Sequence, residues 1–153
     1  MTSAVSQPVV YRPYRPLPML WKVSPVAAKT QGEIEAAICE LINRFEQEHM
    51  GRGPKDIRSY LIGDLIVVRL QGVLSASEQH LVKSLPAGTG RDLLKQVRTQ
   101  LIETSRPRLE VMIQEITGVK VLSLHHDIST VTGEEVILFT LAGSPDYRLP
   151  KKR

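Results

Sequence analysis

Apolar side chains recur at three- and four-residue spacing at Ile34, Ala37, Ile38, Leu41, Ile42 and Phe45. That spacing draws one stripe along a helix predicted from about Gln31 to Met50. Thr30 stands where an N-cap would, Glu33 holds the acid position of a capping box, and Gly51 follows the last turn as a left-handed closing residue would. Beyond it the period falls to two. Ile57–Ile62 and Leu65–Leu70 read as strands joined by the tight turn Gly63-Asp64. In the second strand Ile66, Val68 and Leu70 share a face, with Arg69 opposite; Leu65 and Val67 make that other face partly apolar as well.

The helical period returns after Gly72. Ser75-Ala76-Ser77-Glu78 opens a short helix with Ser75 as N-cap and Glu78 at the box position, ending before Pro86. After a hinge-like loop, Pro86 to Gly90, a long helix begins near Thr89 or Arg91 and reaches Thr117, with Gly118 as its cap. Its predicted stripe is Leu94, Val97, Leu101, Leu109, Met112, Ile113 and Ile116; Arg91, Lys95, Arg98, Arg106 and Arg108 make a basic face. Pro107 lacks a backbone N–H and crowds the carbonyl of Glu103, so a kink or break is expected near Ser105. Residues 119–141 then form a second hairpin. Leu122 and Leu124 alternate with Ser123 and His125, whereas Glu135–Leu141 is almost continuously apolar, as a strand covered on both faces would be. The order is α-β-β-α-α-β-β. This predicts an α+β fold: two β-hairpins forming an antiparallel sheet packed on helices, one of them long and proline-kinked.

Composition changes this picture only at the ends. Of the 153 residues 42% are hydrophobic and 24% charged, ordinary for one globular domain, but only 5% are aromatic, so the core must be mainly aliphatic. The net charge of +4 is made by the tails. Residues 1–30 carry Arg12, Arg15, Lys22 and Lys29 and no acid, and residues 144–153 carry four basic side chains against Asp146, leaving 31–143 net acidic. Three parts follow: a proline-rich, basic, extended leader over 1–30, a domain over 31–143, and a basic tail over 144–153. No apolar run approaches the ~20 residues of a membrane-spanning helix. Neither a signal peptide nor such a helix is expected, and the location implied is cytoplasmic. Cys39 alone can form neither an intrachain disulfide nor a thiolate cage, and it falls beside the helical stripe as a structural residue would.

Candidate chemistry concentrates in two loops. Gly51-Arg52-Gly53-Pro54 exposes backbone N–H groups around one arginine, a shape able to seat an anion, although no Gly-Lys-Ser/Thr follows as in a P-loop. The turn of the second hairpin carries His125, His126, Asp127, Ser129, Thr130, Gly133 and Glu134. Strand alternation puts His125 and His126 on opposite faces, so they cannot readily share a metal; His125 and Asp127 share a face, but nothing fixes a third and fourth ligand. A hydrolase built from Ser129 or Thr130 with His125 and Asp127 lacks a nucleophile elbow or oxyanion loop. Turn chemistry accounts for Asp127, Ser129, Thr130 and Gly133 without catalysis. The reading is therefore of no catalytic residue, metal or cofactor. Arg52, Gly53, His125, Asp127, Ser129, Thr130 and Glu134 remain as candidates for binding a ligand or partner. An anionic surface or small anion suits the basic tails and Arg52, but the acidic domain, without the aromatic pairs of an RNA-reading sheet, argues against nucleic acid.

Gly51-Arg52-Gly53-Pro54, Arg106-Pro107 and the run from His125 to Glu134 are the more specific parts of a resemblance over about residues 32–142. Over that span the chain resembles the MpsC-like domain family. The resemblance implies association with a sodium- or proton-driven membrane system that affects membrane potential and inorganic-carbon (bicarbonate) supply. It carries no catalytic residues to this chain. The expectation is a non-enzymatic accessory or regulatory protein, peripheral to a membrane transport complex. A homodimer is expected from the apolar last strand and the kinked helix.

Overall fold

The computed structural model describes residues 29–152; the leader up to residue 28 lies outside them. The order is that expected: α1 (Gln31–Met50), β1 (Asp56–Ile62), β2 (Leu65–Gln71), α2 (Ala76–Ser84), α3 (Thr89–Thr117), β3 (Val121–Ile128) and β4 (Glu135–Leu141). α1 starts on the predicted capping box: Thr30 Oγ1 accepts from the Glu33 amide at 3.2 Å, and the Glu33 carboxylate accepts from the Thr30 amide at 2.7 Å. α2 carries half of such a box. Ser75 Oγ accepts from the Glu78 amide, but the Glu78 carboxylate turns away from the cap toward α3.

The strands form one antiparallel sheet in the order β1-β2-β4-β3, so the last strand lies inside it, between β2 and β3. Alternate residues face the helices: Ile66, Val68 and Leu70 from β2, and Ile137, Phe139 and Leu141 from β4, all at most 1% exposed. α1 packs over β1 and α3 over β3, and Ile38, Ile42, Ile102 and Ile113 close the core above the sheet. The other face carries Tyr60, Ile62, Leu65, Val67, Val136 and Leu138, with no described element over it.

α3 runs through Pro107 as one helix of 29 residues. Its buried side corrects the predicted stripe. Leu94, Arg98, Ile102, Ser105, Leu109 and Ile113 face inward, whereas Val97 is 48% exposed. Arg98 therefore leaves the basic face assigned to it and enters the core. After β4 the chain folds back, with Pro145 buried; the Arg148 amide donates to the Lys29 carbonyl at 3.1 Å and its guanidinium pairs with Glu33 at 3.4 Å.

α2 and α3 approach backbone to backbone at Gly90, where a Cβ would stand 2.7 Å from the Leu81 carbonyl oxygen and 2.9 Å from Val82 Cα. Gly90→Ala is expected to lower stability by about 1–3 kcal/mol, because neither backbone can yield without moving its helix. Gly32→Ala in α1 meets open space and should stabilise slightly. Urea midpoints of the two variants, moving in opposite directions, check the pair.

Candidate functional site

The hairpin turn is a self-bonded unit. The Ser129 amide donates to the Glu134 carbonyl at 2.8 Å, and the Gly133 amide donates back to the Ser129 carbonyl at 2.9 Å. Ser129 Oγ accepts from the Thr132 amide at 3.2 Å, and Gly133 supplies the left-handed backbone (φ 72°) that the reversal needs. The turn is fastened at three further points. Val73 donates its amide to the Gly133 carbonyl, Arg69 pairs with Glu134 at 2.7 Å, and Lys95 pairs with Asp127 at 2.8 Å. The Lys95 ammonium and the Ile128 amide hold the Asp127 carboxyl below its ordinary range.

The second predicted loop reaches the same end of the fold. Arg52 donates to the carbonyls of Leu74 and Gly72 at 3.3 and 3.2 Å, so its guanidinium ties the loop after α1 to the loop after β2. At Gly53 a Cβ would lie 2.6 Å from Asn43 Oδ1, the end of a side chain that can swing aside. Between these loops, α2 and the hairpin turn lies a cleft of about 440 Å³, lined by Lys55, Lys83, Gln79, Leu74 and the stretch Thr130 to Gly133. The fold thus brings both candidate loops together, Arg52 as a brace and Thr130 on the wall. His125 is exposed on the sheet face away from the helices, and Asp127 projects beside it on that strand.

Beneath this loop cluster is a set of ionisable side chains that the sequence reading does not assemble. Arg98, 2% exposed, donates from Nη1 to Glu135 Oε2 and from Nη2 to Glu78 Oε2 and the Val73 carbonyl, each at 3.1 Å. Glu46 Oε2 lies 3.7 Å from Nη1, and His126 Nε2 donates to Glu135 Oε1 at 2.5 Å. Four elements therefore meet at one guanidinium, α1, α2, α3 and β4, and β3 joins them through Glu135. The Val73 carbonyl links it to the loop above, because the Val73 amide is the group bonded to Gly133. Among the described residues Glu46 Oε1, Arg98 Nε and His126 Nδ1 have no hydrogen-bond partner.

Electrostatics sort the cluster. Three carboxyls face one guanidinium and one imidazole, and burial penalises every unbalanced charge. Glu46 is the member that yields. Desolvation raises its pKa to about 8, assisted by the nearby Glu135 and Glu78 carboxylates and opposed by Arg98. It holds its proton at neutral pH. Although acids and an imidazole converge here, a guanidinium occupies their centre, and among the described residues no three His, Cys, Asp or Glu side chains are placed to hold a metal ion.

The missed residues had a signal. His126 shares its strand face with Leu124 and Ile128, and Glu135 with Ile137 and Phe139. Arg98 stands four residues from both Leu94 and Ile102. Ionisable residues at three inward positions on three elements point to one buried ionic cluster.

Comparison with known proteins covers the same region. The family described as "Na+-translocating membrane potential-generating system (MpsC)" matches residues 30–143. Two relatives come from Bacillus subtilis (strain 168). Uncharacterized protein YbcI is 35% identical over 123 residues, spanning 80% of this chain and 97% of that one. Uncharacterized protein YrhF is 31% identical over 102 residues, 65% of this chain and 80% of its own. No solved structure gives a significant match.

Proposed function

This chain belongs to the MpsC family, and from that premise we propose that it is a non-enzymatic accessory or regulatory component of a cation-coupled membrane-potential system, linked to inorganic-carbon transport and acting by binding a partner. The observation that carries the reading is the fastening of the loop cluster. Arg52, Ser129, Glu134 and Asp127 spend their polar groups on holding two loops in one shape, anchored below through Val73 to Arg98. A surface fixed in this way loses little conformational entropy on docking, which suits recognition. Among the described residues no helix is long and apolar enough to cross a membrane; the proposed role is docking on a membrane component.

The test is complementation. Cells lacking the chain are expected to show a lowered membrane potential with a potential-sensitive dye and a growth demand for added bicarbonate. The wild-type chain should restore both, and Lys55→Glu/Lys83→Glu, which inverts the charge of the cleft, should not. Full restoration by that variant would remove the cleft from the mechanism, and an unchanged potential on deletion would remove the reading itself.

A second reading is favoured by the lysines themselves. Lys55 and Lys83 line the cleft beside Thr130 and Thr132, and neither pairs with an acid among the described residues. That arrangement suits a small oxyanion, and the chain would then act as a sensor. Thermal melts with bicarbonate, phosphate and nucleotides should rise for the wild type and stay flat for Lys55→Ala/Lys83→Ala. A flat response in the wild type excludes it.

A further inference from the structure

An antiparallel sheet with one wet face ordinarily alternates apolar-in and polar-out. Here the two central strands break that rule. Leu65 and Val67 of β2 and Val136 and Leu138 of β4 stand on the face away from the helices, flanked by Tyr60 (42% exposed), Ile62 (61%) and, at the β3 bulge, Leu122 (62%). A contiguous apolar patch of this kind on an otherwise ordinary surface marks an interaction site.

The register of the sheet shows what fits it. Three rows cross the open face: Ile62, Leu65, Thr140 and Ser123; then Tyr60, Val67, Leu138 and His125; then Arg58, Arg69, Val136 and Asp127. The last row has arginine at one edge and aspartate at the other, with side chains 67% and 76% exposed. We propose that this face is the interface between two copies of the chain, packed sheet on sheet about a two-fold axis parallel to the strands.

That axis keeps each row and reverses the strand order, placing β1 over β3 of the second copy. Arg58 then meets Asp127 of the second copy, and Arg69, whose charge Glu134 already balances, lies over Val136. Ile62 meets the corner at Ser123 and Leu122, and Val67 meets Leu138. A two-fold axis across the strands would instead lay the charged row on the row of Ile62 and Leu65, burying charge against apolar surface. Self-complementarity about one axis is what a closed dimer requires, and near-parallel strands match the aligned packing of sheets. Four strands at ~4.8 Å spacing and seven residues at ~3.4 Å rise give a face of roughly 450 Å², on the order of 700 Å² per copy with side-chain relief, close to the ~800 Å² of a stable interface. Arg58 and Asp127 keep their present partners Asp56 and Lys95, so each joins a mixed-charge network at the rim.

This goes beyond the membrane role: a dimer that ignores membranes, or a monomer that binds them, separates the two claims. The full chain is expected to sediment at about twice 17.1 kDa at micromolar concentration. Arg58→Asp and Asp127→Arg should each raise the dimer Kd at least ~10-fold, and the combined exchange should return it to within ~3-fold, since only a direct contact couples the two sites. Leu138→Lys should yield monomers; should that variant fail to fold, the exposed charge exchange decides alone. A 17.1 kDa monomer at 100 µM, as when residues 1–28 cover the face instead, overturns the proposal. So does a dimer indifferent to all these changes.

Discussion

Arg98→Met is expected to cost about 3–5 kcal/mol, since it strands buried carboxylates whose charge the guanidinium balances. For a domain whose total stability is on the order of 5–15 kcal/mol, that approaches unfolding at room temperature. Urea denaturation followed by circular dichroism reads the loss. The decisive comparison is Arg98→Met with Glu135→Gln. Glu46 already holds its proton, so neutralising Glu135 removes the fully buried charge that Arg98 balances, and buried ionic clusters replaced as a set are often neutral in stability. The double variant should recover most of the loss. If it is as unstable as the single one, the side-chain volume of Arg98 matters and its charge does not.

The second large effect is on pH. Glu46 has a folded pKa near 8 against 4.5 in its ordinary state. Between these values the folded chain keeps a proton that the unfolded chain has released. Stability from this group is therefore full below about pH 4.5, falls as pH rises, and levels off above about pH 8. The span corresponds to no more than about 5 kcal/mol. Asp127 acts oppositely. Its lowered pKa gives stability that is present above its ordinary value of 3.8 and lost as pH falls through the folded one. The maximum should lie near pH 4, between those two ordinary values, with a decline toward pH 8. Glu46→Gln should flatten that decline and make the variant the more stable protein at pH 9. An unaltered slope in the variant would assign the pH dependence to another group.

Much of the fold was legible because local and tertiary signals agree. Thr30 and Glu33 announced the start of α1, Gly63-Asp64 placed the first hairpin, and the alternation around Ile66, Val68 and Leu70 set the inward face. The polar turn was read correctly as turn chemistry for Ser129 and Gly133. The cluster under it was not legible in the same way. Helical spacing sorts residues by hydrophobicity, so Arg98 was drawn to the face with Arg91 and Lys95, although its angular position belongs with Leu94 and Ile102. Val97 was drawn inward for the converse reason. A charge enters a core only when partners from other elements await it, and Glu46, Glu78 and Glu135 lie up to 52 positions away in sequence. Periodicity describes one element at a time and cannot see such an appointment.

The place of β4 also governs how the chain can be made. β1 and β2 can pair as soon as both exist, but β2 has its second neighbour only when residues 135–141 arrive, and β3 has no neighbour at all until then. During synthesis the growing polypeptide therefore holds two unsatisfied strand edges until residues 135–141 leave the ribosome. The sheet closes by insertion of β4 into a waiting gap, a long-range step that is slow relative to hairpin formation. Released chains ending before residue 135 should be digested readily by added protease, and those reaching past residue 141 should resist it.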